Sequence, residues 1–222
     1  MIIPLANLLN DEEISTLENL IKDASFEDGK KTAGWHAREI KNNQQMADGP
    51  HQQKINQILQ TAIGGNELFQ IASMPRQIRS FLISRSTEGG GYGTHVDNAI
   101  MMGQQMSRTD ISMTVFLSDP ETYEGGNLVL EETSGERSFR MPKGYAVIYP
   151  STTLHRVEPV TSGVRHVACT WIQSRIRHAE QREILFDLDT ARREIFKKEG
   201  KTHTFDLLSK SHANLIRQWA DI

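Results

Sequence analysis

The sequence predicts a mainly β fold, an antiparallel barrel or sandwich supported by helices at both ends of the chain. Residues 1–75 carry helical periodicity, residues 76–175 hold short apolar runs between turn residues, and helical periodicity returns in residues 176–222. Evenly spaced short runs between glycine-containing turns are typical of barrels and sandwiches. A chain of 222 residues suits one domain, so we expect an N-terminal helical support, a β core and a C-terminal helical extension within it.

Four stretches predict helices. In the first, Asn10 precedes DEEISTLENLIKDA and Glu13 stands three residues after Asn10, which is the pattern of a capping box. The second stretch is HQQKINQILQTAIGG, where Gly64 favours a helix end. After Ser174, HAEQREILFDLDTARREIFKKEG and HTFDLLSKSHANLIRQWADI have apolar residues at three- and four-residue intervals. Each of these helices should bury one apolar face.

Eight stretches after residue 75 predict strands. They are QIRSFLISR, YGTHVDNA, DISMTVFLS, GNLVLEE, RSFRM, YAVIYP, LHRVEPV and VRHVACTWIQS. The segments between them contain glycine or other turn-forming residues. The earlier segment DGKKTAGWHAREIKNNQQMADGP is rich in Gly, Asn and charge, and it is predicted to be mainly loop with one strand over residues 35–40.

Composition and charge argue against several classes of protein. A net charge of −3 gives no reason to expect a polyanionic partner. The single cysteine, Cys169, cannot form an intramolecular disulfide, and its apolar surroundings predict a buried residue in a reducing compartment. The N-terminus has no basic region, and no apolar run approaches membrane-spanning length. We expect a cytoplasmic protein that binds neither nucleic acid nor membrane, and assembly into identical subunits stays open.

The stretch YGTHVDNAIMM places a histidine and an aspartate two residues apart. Because side chains alternate along a strand, His95 and Asp97 should share one face and Val96 should point to the other. On a helix the two side chains would diverge by roughly 200°. The strand prediction therefore gives the pair the geometry of two ligands to one metal.

A third ligand and a cation follow later in the chain. His155 stands at the start of a later predicted strand, and two histidines with one carboxylate leave three adjacent metal positions open, as non-heme Fe(II) oxygenases need. Arg165 lies ten residues beyond His155 among apolar neighbours. Its guanidinium could anchor the far carboxylate of a dicarboxylate cosubstrate. The alternative for Arg165 is an ion pair with a surface acid, which its apolar neighbours disfavour.

These residues together resemble the Fe(II)- and 2-oxoglutarate-dependent dioxygenases. Four stretches are similar to the prolyl-4-hydroxylase-like PKHD-type hydroxylases of the PiuC kind, most clearly between residues 75 and 190: YGTHVDNAI, RTDISMTVFLSDPETYEGGNLVL, YPSTTLHRVEPVTSGVRHVACTWIQS and QREILFDLD. The resemblance implies a double-stranded β-helix, a jelly-roll or cupin-like barrel. It also implies that His95, Asp97 and His155 bind iron and that Arg165 binds 2-oxoglutarate.

The resemblance implies a reaction as well. Oxidative decarboxylation of 2-oxoglutarate to succinate and CO2 would be coupled, with O2, to hydroxylation of a C–H bond in a prolyl, other peptide or small-molecule substrate. Ascorbate is expected to keep the iron reduced. The alternative is a binding or sensing module on the same barrel that retains metal without turnover, because a fold does not dictate function. The intact ligand set and Arg165 favour the enzyme.

One position departs from the family pattern. Related enzymes commonly carry Y-x-x-G-x-x-Y/F-x-x-H-x-D, with the first tyrosine on 2-oxoglutarate, and here Ser86 replaces that tyrosine while Gly89 and Tyr92 match. The loss of one hydrogen bond, worth roughly 0.5 to 1.5 kcal/mol, predicts weaker cosubstrate binding. A Ser86→Tyr variant that improves the affinity little would remove this explanation.

Four residues are candidate substrate contacts with structural alternatives. Asn98 either bonds to substrate or serves as a bend residue. Tyr92 either contacts substrate or packs in the core. Asn42 and Asn43 belong to KNNQQ, an element that recurs in the family, within the long segment KKTAGWHAREIKNNQQMADGP. That segment is either a lid over the barrel mouth or a plain surface connection.

Overall fold

Helices occupy both ends of the chain in a computed structural model that describes residues 1–32, 34, 35, 38–103 and 105–221. The helices are α1 (Asp11–Lys22), α2 (Pro50–Gly65), α3 (Glu67–Ser73), α4 (Ala179–Glu199) and α5 (His203–Trp219). The first half of the strands is β1 (Ile3–Leu5), β2 (Phe26–Asp28), β3 (Lys41–Asn42), β4 (Gln44–Met46), β5 (Pro75–Ile78), β6 (Leu82–Ser86), β7 (Gly91–His95), β8 (Ile100–Met101) and β9 (Ser107–Arg108). The second half is β10 (Ile111–Phe116), β11 (Tyr123–Gly125), β12 (Leu128–Glu132), β13 (Gly135–Phe139), β14 (Ala146–Pro150), β15 (His155–Val157), β16 (Val160–Gly163) and β17 (Arg165–Ser174).

Two large sheets form the barrel. One has the strand order β1-β14-β10-β17-β6-β4-β2, with β5 also paired to β17, and the other has the order β13-β12-β15-β7-β3. Their facing sides share one apolar cluster, to which Phe116 and Val167 come from the first sheet and Leu128 and Leu130 from the second. The smaller pairs are β11 with β16 and β8 with β9. This arrangement confirms the predicted mainly β architecture.

The outer face of the larger sheet is covered by the N-terminal helices. Leu17 of α1, Leu59 of α2 and Phe69 of α3 are buried in one cluster with Ile83 and Ile172 of the sheet. Full burial of each such side chain stabilises the fold by about 1.5 to 3 kcal/mol. The side chains of β10 and β17 alternate between the barrel interior and the helix layer. Both faces of these two strands are therefore largely buried.

The predicted helices are confirmed, with one addition. The Asn10 side chain accepts a hydrogen bond from the Glu13 backbone N–H at 2.9 Å, and the Glu13 carboxylate accepts one from the Asn10 N–H at 2.9 Å, so the capping box is present. Helix α3 was not predicted, because its seven residues are too few for a periodic pattern.

Residues 1–75 contribute strands as well as helices, which differs from the expected helical support. The strand expected over residues 35–40 is absent from its described part: residue 35 and residues 38–40 are turns, and His36 and Ala37 lie outside the described residues. The chain becomes extended only at Lys41. From there β3 pairs with β7 of one sheet and β4 pairs with β6 of the other. Residues 41–46 therefore connect the edges of the two large sheets.

The residues that follow α5 contact the residues that follow β17. Ala220 forms an antiparallel bridge with Ile176, and the Asp221 N–H donates to the Arg175 carbonyl at 2.7 Å. Arg108 lies between Asp110, at 2.7 Å, and Asp221, at 3.6 Å. In the described parts of the chain, no helix combines the length and the apolar character needed to cross a membrane.

Candidate active site

Three predicted ligands converge at one end of the smaller sheet. His95 is the last residue of β7 and His155 is the first residue of β15, and the two are partners in the ladder between these strands. One potential ligand atom from each of His95, Asp97 and His155 lies within 4.8 Å of the others. The arrangement is that of a facial site with open positions.

The strand predicted for YGTHVDNA is shorter than expected. Strand β7 ends at His95, because its partner β15 begins at His155 and no ladder continues beyond that pair. Asp97 consequently lies in irregular chain after the strand, where it is still directed to the histidines, while Val96 between them is exposed. The alternation predicted from strand geometry thus extends past the strand itself.

Backbone carbonyl groups orient both histidines. The Nδ1 atom of His95 lies 2.8 Å from the Gly93 carbonyl oxygen, and the Nδ1 atom of His155 lies 3.0 Å from that of Thr153. A carbonyl can only accept, so each Nδ1 carries the proton and each Nε2 keeps a free lone pair. This partner arrangement is common for metal-binding histidines.

Two serines hold the carboxylate. The Ser112 hydroxyl donates to Oδ2 of Asp97 at 2.5 Å, and Ser112 in turn lies 2.8 Å from the Ser151 hydroxyl. The same Oδ2 is 3.9 Å from Nε2 of His155. These contacts place the carboxylate toward the imidazoles before any ion binds.

The Tyr92 ring stacks on His95, with centroids 3.6 Å apart and ring planes 21° apart. Burial, with a smaller contribution from His155, lowers the pKa of His95 to about 4. The imidazole is therefore neutral and available as a ligand at neutral pH. Burial also raises the pKa of Tyr92 to about 12. Tyr92 is a positioning contact for His95 and also borders the cavity.

The ligands face a cavity of about 880 Å³, measured out to its open mouth. Part of its lining comes from strands of the two sheets: Thr114, Leu128, Tyr149 and Cys169. One side is polar and is formed by Thr32, Lys41, Asn43, Gln45 and Ser84. Asn98, at the mouth, is exposed. The cavity thus gives a reactant access to the ligand set from outside.

Arg165 does not itself border this cavity, but its charge interacts with Tyr149 and Cys169, which do. It is 2% exposed, and its guanidinium is 5.9 Å from the centre of the Phe116 ring. Burial lowers its pKa, while the Tyr123 side chain, which hydrogen-bonds to it, opposes that effect. Its Nε and Nη2 atoms have no hydrogen-bond partner in the described chain. A buried guanidinium with unused donors fits a carboxylate, so the residues present suit a dicarboxylate cosubstrate.

Gly126 makes room for Arg165. Gly126 has a φ of +66°, and a Cβ atom there would lie 2.7 Å from Cδ of Arg165. Ser86, where the family pattern predicts a tyrosine, is buried directly opposite Arg165 in the pairing of β6 with β17. Serine has no phenol to offer Arg165. The phenol beside the Arg165 guanidinium is that of Tyr123, which lies on a different strand, β11.

The predicted substrate contacts separate into two groups. Asn98, Tyr92 and Asn43 border the cavity, whereas Asn42 does not. Successive side chains of an extended chain point to opposite sides, so Asn42 faces away from the cavity that Lys41 and Asn43 border. Its side chain donates to the Gly89 carbonyl at 2.9 Å. The expectation of a substrate contact at Asn42 is thus not supported by its position. The segment from Lys41 to Met46 is a wall paired to both sheets, so a lid remains a hypothesis only for residues before it.

Sequence reasoning missed Ser112 and Ser151, which hold Asp97, and Lys41, which borders the cavity. The two serines belong to segments otherwise predicted as strand and turn, and nothing in their spacing connects them with Asp97. For Lys41 a signal exists: Lys41, Asn43 and Gln45 alternate in KNNQQ, which would place them on one face of extended chain.

Comparison with known proteins decides the family. The model of the 2OG-Fe(II) oxygenase superfamily matches residues 81–173, and that of the PKHD-type hydroxylase C-terminal domain matches residues 180–221. A PKHD-type hydroxylase of Synechococcus sp. (strain JA-2-3B'a(2-13)) is 50% identical over 224 residues, which is 100% of both chains. The chain belongs to the PKHD-type hydroxylases. It is a 2-oxoglutarate-dependent dioxygenase, with Fe(II) as its metal.

Solved structures share the fold of this hydroxylase. The viral collagen prolyl hydroxylase of Paramecium Bursaria Chlorella virus-1 is 20% identical, with a TM-score of 0.54, over 78% of this chain and 95% of that one. A prolyl hydroxylase of Trichoplax adhaerens is 15% identical, with a TM-score of 0.56, over 83% and 86%. These likenesses confirm the double-stranded β-helix.

Proposed function

We propose that this PKHD-type hydroxylase binds Fe(II) through His95, Asp97 and His155 and binds the distal carboxylate of 2-oxoglutarate through Arg165. The observation that carries the proposal is the position of two sites in one barrel: a converging His-Asp-His set and a buried guanidinium with unused donors. When bound, the iron and cosubstrate would supply the oxidising chemistry that hydroxylates a C–H bond and leaves succinate and CO2.

The side chains of the barrel have separate tasks in this reaction. The carbonyls of Gly93 and Thr153 hold the imidazole Nδ1 protons, so the Nε2 lone pairs stay directed to the metal. Ser112 holds Asp97 in the same orientation. No side chain needs to act as nucleophile or general base, so the chain contributes positioning and exclusion of water.

The substrate would enter at the cavity mouth, beside Asn98, and present a C–H bond to the ligand set. A peptide or a small molecule fits the open mouth. We further propose that ascorbate supports activity by keeping the iron reduced, and that the enzyme works in the cytoplasm, where a free thiol such as Cys169 persists. In this proposal it has no nucleic-acid or membrane partner, and it either works alone or assembles with copies of itself.

Anaerobic titration with Fe(II) and 2-oxoglutarate tests the assignment. The chelate should give a weak visible charge-transfer band, and admission of oxygen should release succinate. His95→Ala should lose both signals. Arg165→Met should keep metal binding but need about 10- to 100-fold more 2-oxoglutarate, because a charge-assisted, two-donor contact is lost.

Exposed residues provide matched controls. His178→Ala and Arg177→Ala change the same residue types on the surface after β17 and should leave both signals unchanged. Metal binding without a chelate in the wild-type protein would contradict the proposed function and favour a metal-binding sensor. A chelate that survives unchanged in Arg165→Met would remove Arg165 from the cosubstrate site.

A further inference from the structure

The polar side of the cavity comes from one short extended segment. Residues 41–46 connect the edges of the two sheets, and alternate side chains of this segment, at Lys41, Asn43 and Gln45, border the cavity. The Asn43 Nδ2 group donates to Ser84 Oγ at 2.8 Å, while its buried Oδ1, an acceptor, has no hydrogen-bond partner among the described residues. Lys41 is the only charged residue that this segment turns toward the cavity.

Lys41 is a buried cation that makes no ion pair with the described residues, although the charges of Asp28 and Asp97 act on it from a distance. It is 6% exposed, and its ammonium donates to Thr32 Oγ1 at 3.0 Å and lies 5.2 Å from the centre of the Tyr92 ring. Within the described residues, no carboxylate oxygen lies within 4.0 Å of it. Burial lowers the pKa of Lys41 to about 8, so it is mainly protonated at neutral pH. Burial of an unpaired charge costs free energy that a bound anion would offset.

A second donor stands beside the ammonium. Thr32 Oγ1 also donates to Gln45 Oε1 at 2.6 Å, which turns the Gln45 side chain next to Lys41. The Gln45 Nε2 group has no hydrogen-bond partner in the described parts of the chain, and Gln45 borders the cavity. Lys41 Nζ and Gln45 Oε1 thus meet at one threonine hydroxyl, and the Gln45 amide offers a second N–H donor on the lining of the same cavity.

We propose that Lys41, with Gln45, forms an anion site for the primary substrate, and that this substrate carries a carboxylate. The inference rests on the proposed function, which already uses both carboxylates of 2-oxoglutarate: one on the metal and the other on Arg165. Arg165 lies on β17 and does not border the cavity, whereas Lys41 borders it near Tyr92. Lys41 is therefore left for the second reactant.

Ligand-observed NMR can test the site without turnover. The protein is loaded with Zn(II) and saturating 2-oxoglutarate, so that probes cannot occupy the cosubstrate site. The probes are acetate, benzoate and N-acetylglycine, each with its uncharged primary amide. We expect at least one carboxylate to bind about 10- to 100-fold more tightly than its amide, as a charge-assisted contact gives.

Three variants separate a charge effect from a change of shape. Lys41→Met keeps the length of the side chain and should abolish the preference for the carboxylate. Lys41→Arg keeps the charge and should retain it. Lys143→Met removes a lysine that pairs with Glu18 on the surface and should behave as wild type. The Met variant should fold, because it replaces an unpaired buried charge with an apolar side chain.

Three outcomes would overturn the anion site. The first is a wild-type protein that binds no carboxylate more tightly than its amide. The second is a preference that persists in Lys41→Met. The third is a loss of 2-oxoglutarate affinity in Lys41→Met as large as that in Arg165→Met, which would assign Lys41 to the cosubstrate. Failure of the proposed function is seen separately, as the absence of the Fe(II) chelate in the wild-type protein.

Discussion

Ser112 controls the metal centre through one hydrogen bond to Asp97. Its replacement in Ser112→Ala frees the carboxylate to rotate and leaves it without its donor, so we expect Fe(II) to bind about 10- to 100-fold more weakly. Competition with a chelator of known affinity measures this. Ser138→Ala, on the exposed edge strand β13, is the control and should bind iron as wild type does. Equal affinities in both variants would show that Ser112 does not position Asp97.

Gly126 allows Arg165 its position, so Gly126→Ala should act on the cosubstrate and not on the metal. The added Cβ meets Cδ of Arg165 and also strains a residue with positive φ. We expect the Kd for 2-oxoglutarate to rise about tenfold, the equivalent of one charge-assisted hydrogen bond, with Fe(II) affinity unchanged. Isothermal titration of the two ligands measures both values.

Gly65→Ala is the matched control for this variant, since a Cβ at Gly65 meets nothing within 4 Å and Gly65 lies in α2, away from the site. It should leave both affinities unchanged. An unaltered 2-oxoglutarate affinity in Gly126→Ala would mean that Arg165 can shift without loss of the cosubstrate contact.

At the scale of residues, the sequence predicted those whose chemistry is specific to the task. His95, Asp97, His155 and Arg165 were predicted because their combination, more than the His-x-Asp spacing alone, resembles a known family. The role of Ser112 could not be predicted, because its hydroxyl reaches Asp97 only after folding brings the two segments together.

At the scale of elements, helix α1 depends on its capping box. Asn10→Ala removes the side-chain acceptor for the Glu13 N–H and should lower the free energy of unfolding by about 1 kcal/mol, or Tm by about 2 to 4 °C. Asn19→Ala is the control, because Asn19 is exposed within the same helix and alanine there favours the helix. Thermal unfolding followed by circular dichroism should therefore show a lower Tm for Asn10→Ala and an unchanged or higher Tm for Asn19→Ala.

Strands β3 and β4 show where sequence reasoning ends. They have two and three residues, and their polar side chains give no apolar alternation on which a prediction could rest. They are strands because the edges of β7 and β6 offer unpaired backbone groups. Long elements such as β17 and α4 were predicted because their own residues specify them.

At the scale of the whole molecule, a buried histidine, His95, and a half-buried one, His166, make the metal-free protein sensitive to acid. Burial lowers the pKa of both His95 and His166 to about 4, against 6.5 when they are exposed. Between pH 6.5 and 4 the unfolded chain therefore binds more protons than the folded one. The free energy of unfolding should fall as the pH falls through this range, and these groups should have no effect above it.

Urea unfolding of the metal-free protein at a series of pH values between 7 and 4.5 measures this dependence. His166→Gln isolates one of the two groups, because it lies on the face of β17 that carries no metal ligand and packs against Phe26. The variant should lose less stability than wild type as the pH falls. Identical pH profiles would show that His166 is protonated to the same degree in both states.

The segment that closes the barrel between its two sheets has an evolutionary consequence. Residues 41–46 lie outside the part of the chain that matches the oxygenase superfamily, residues 81–173, although they border the same cavity. The converging His-Asp-His set and Arg165, which is proposed to bind 2-oxoglutarate, all lie inside that part. The residues proposed to meet a second reactant and those proposed to hold iron and 2-oxoglutarate are therefore encoded in separate stretches of the chain, so mutation can alter one set while the other stays unchanged.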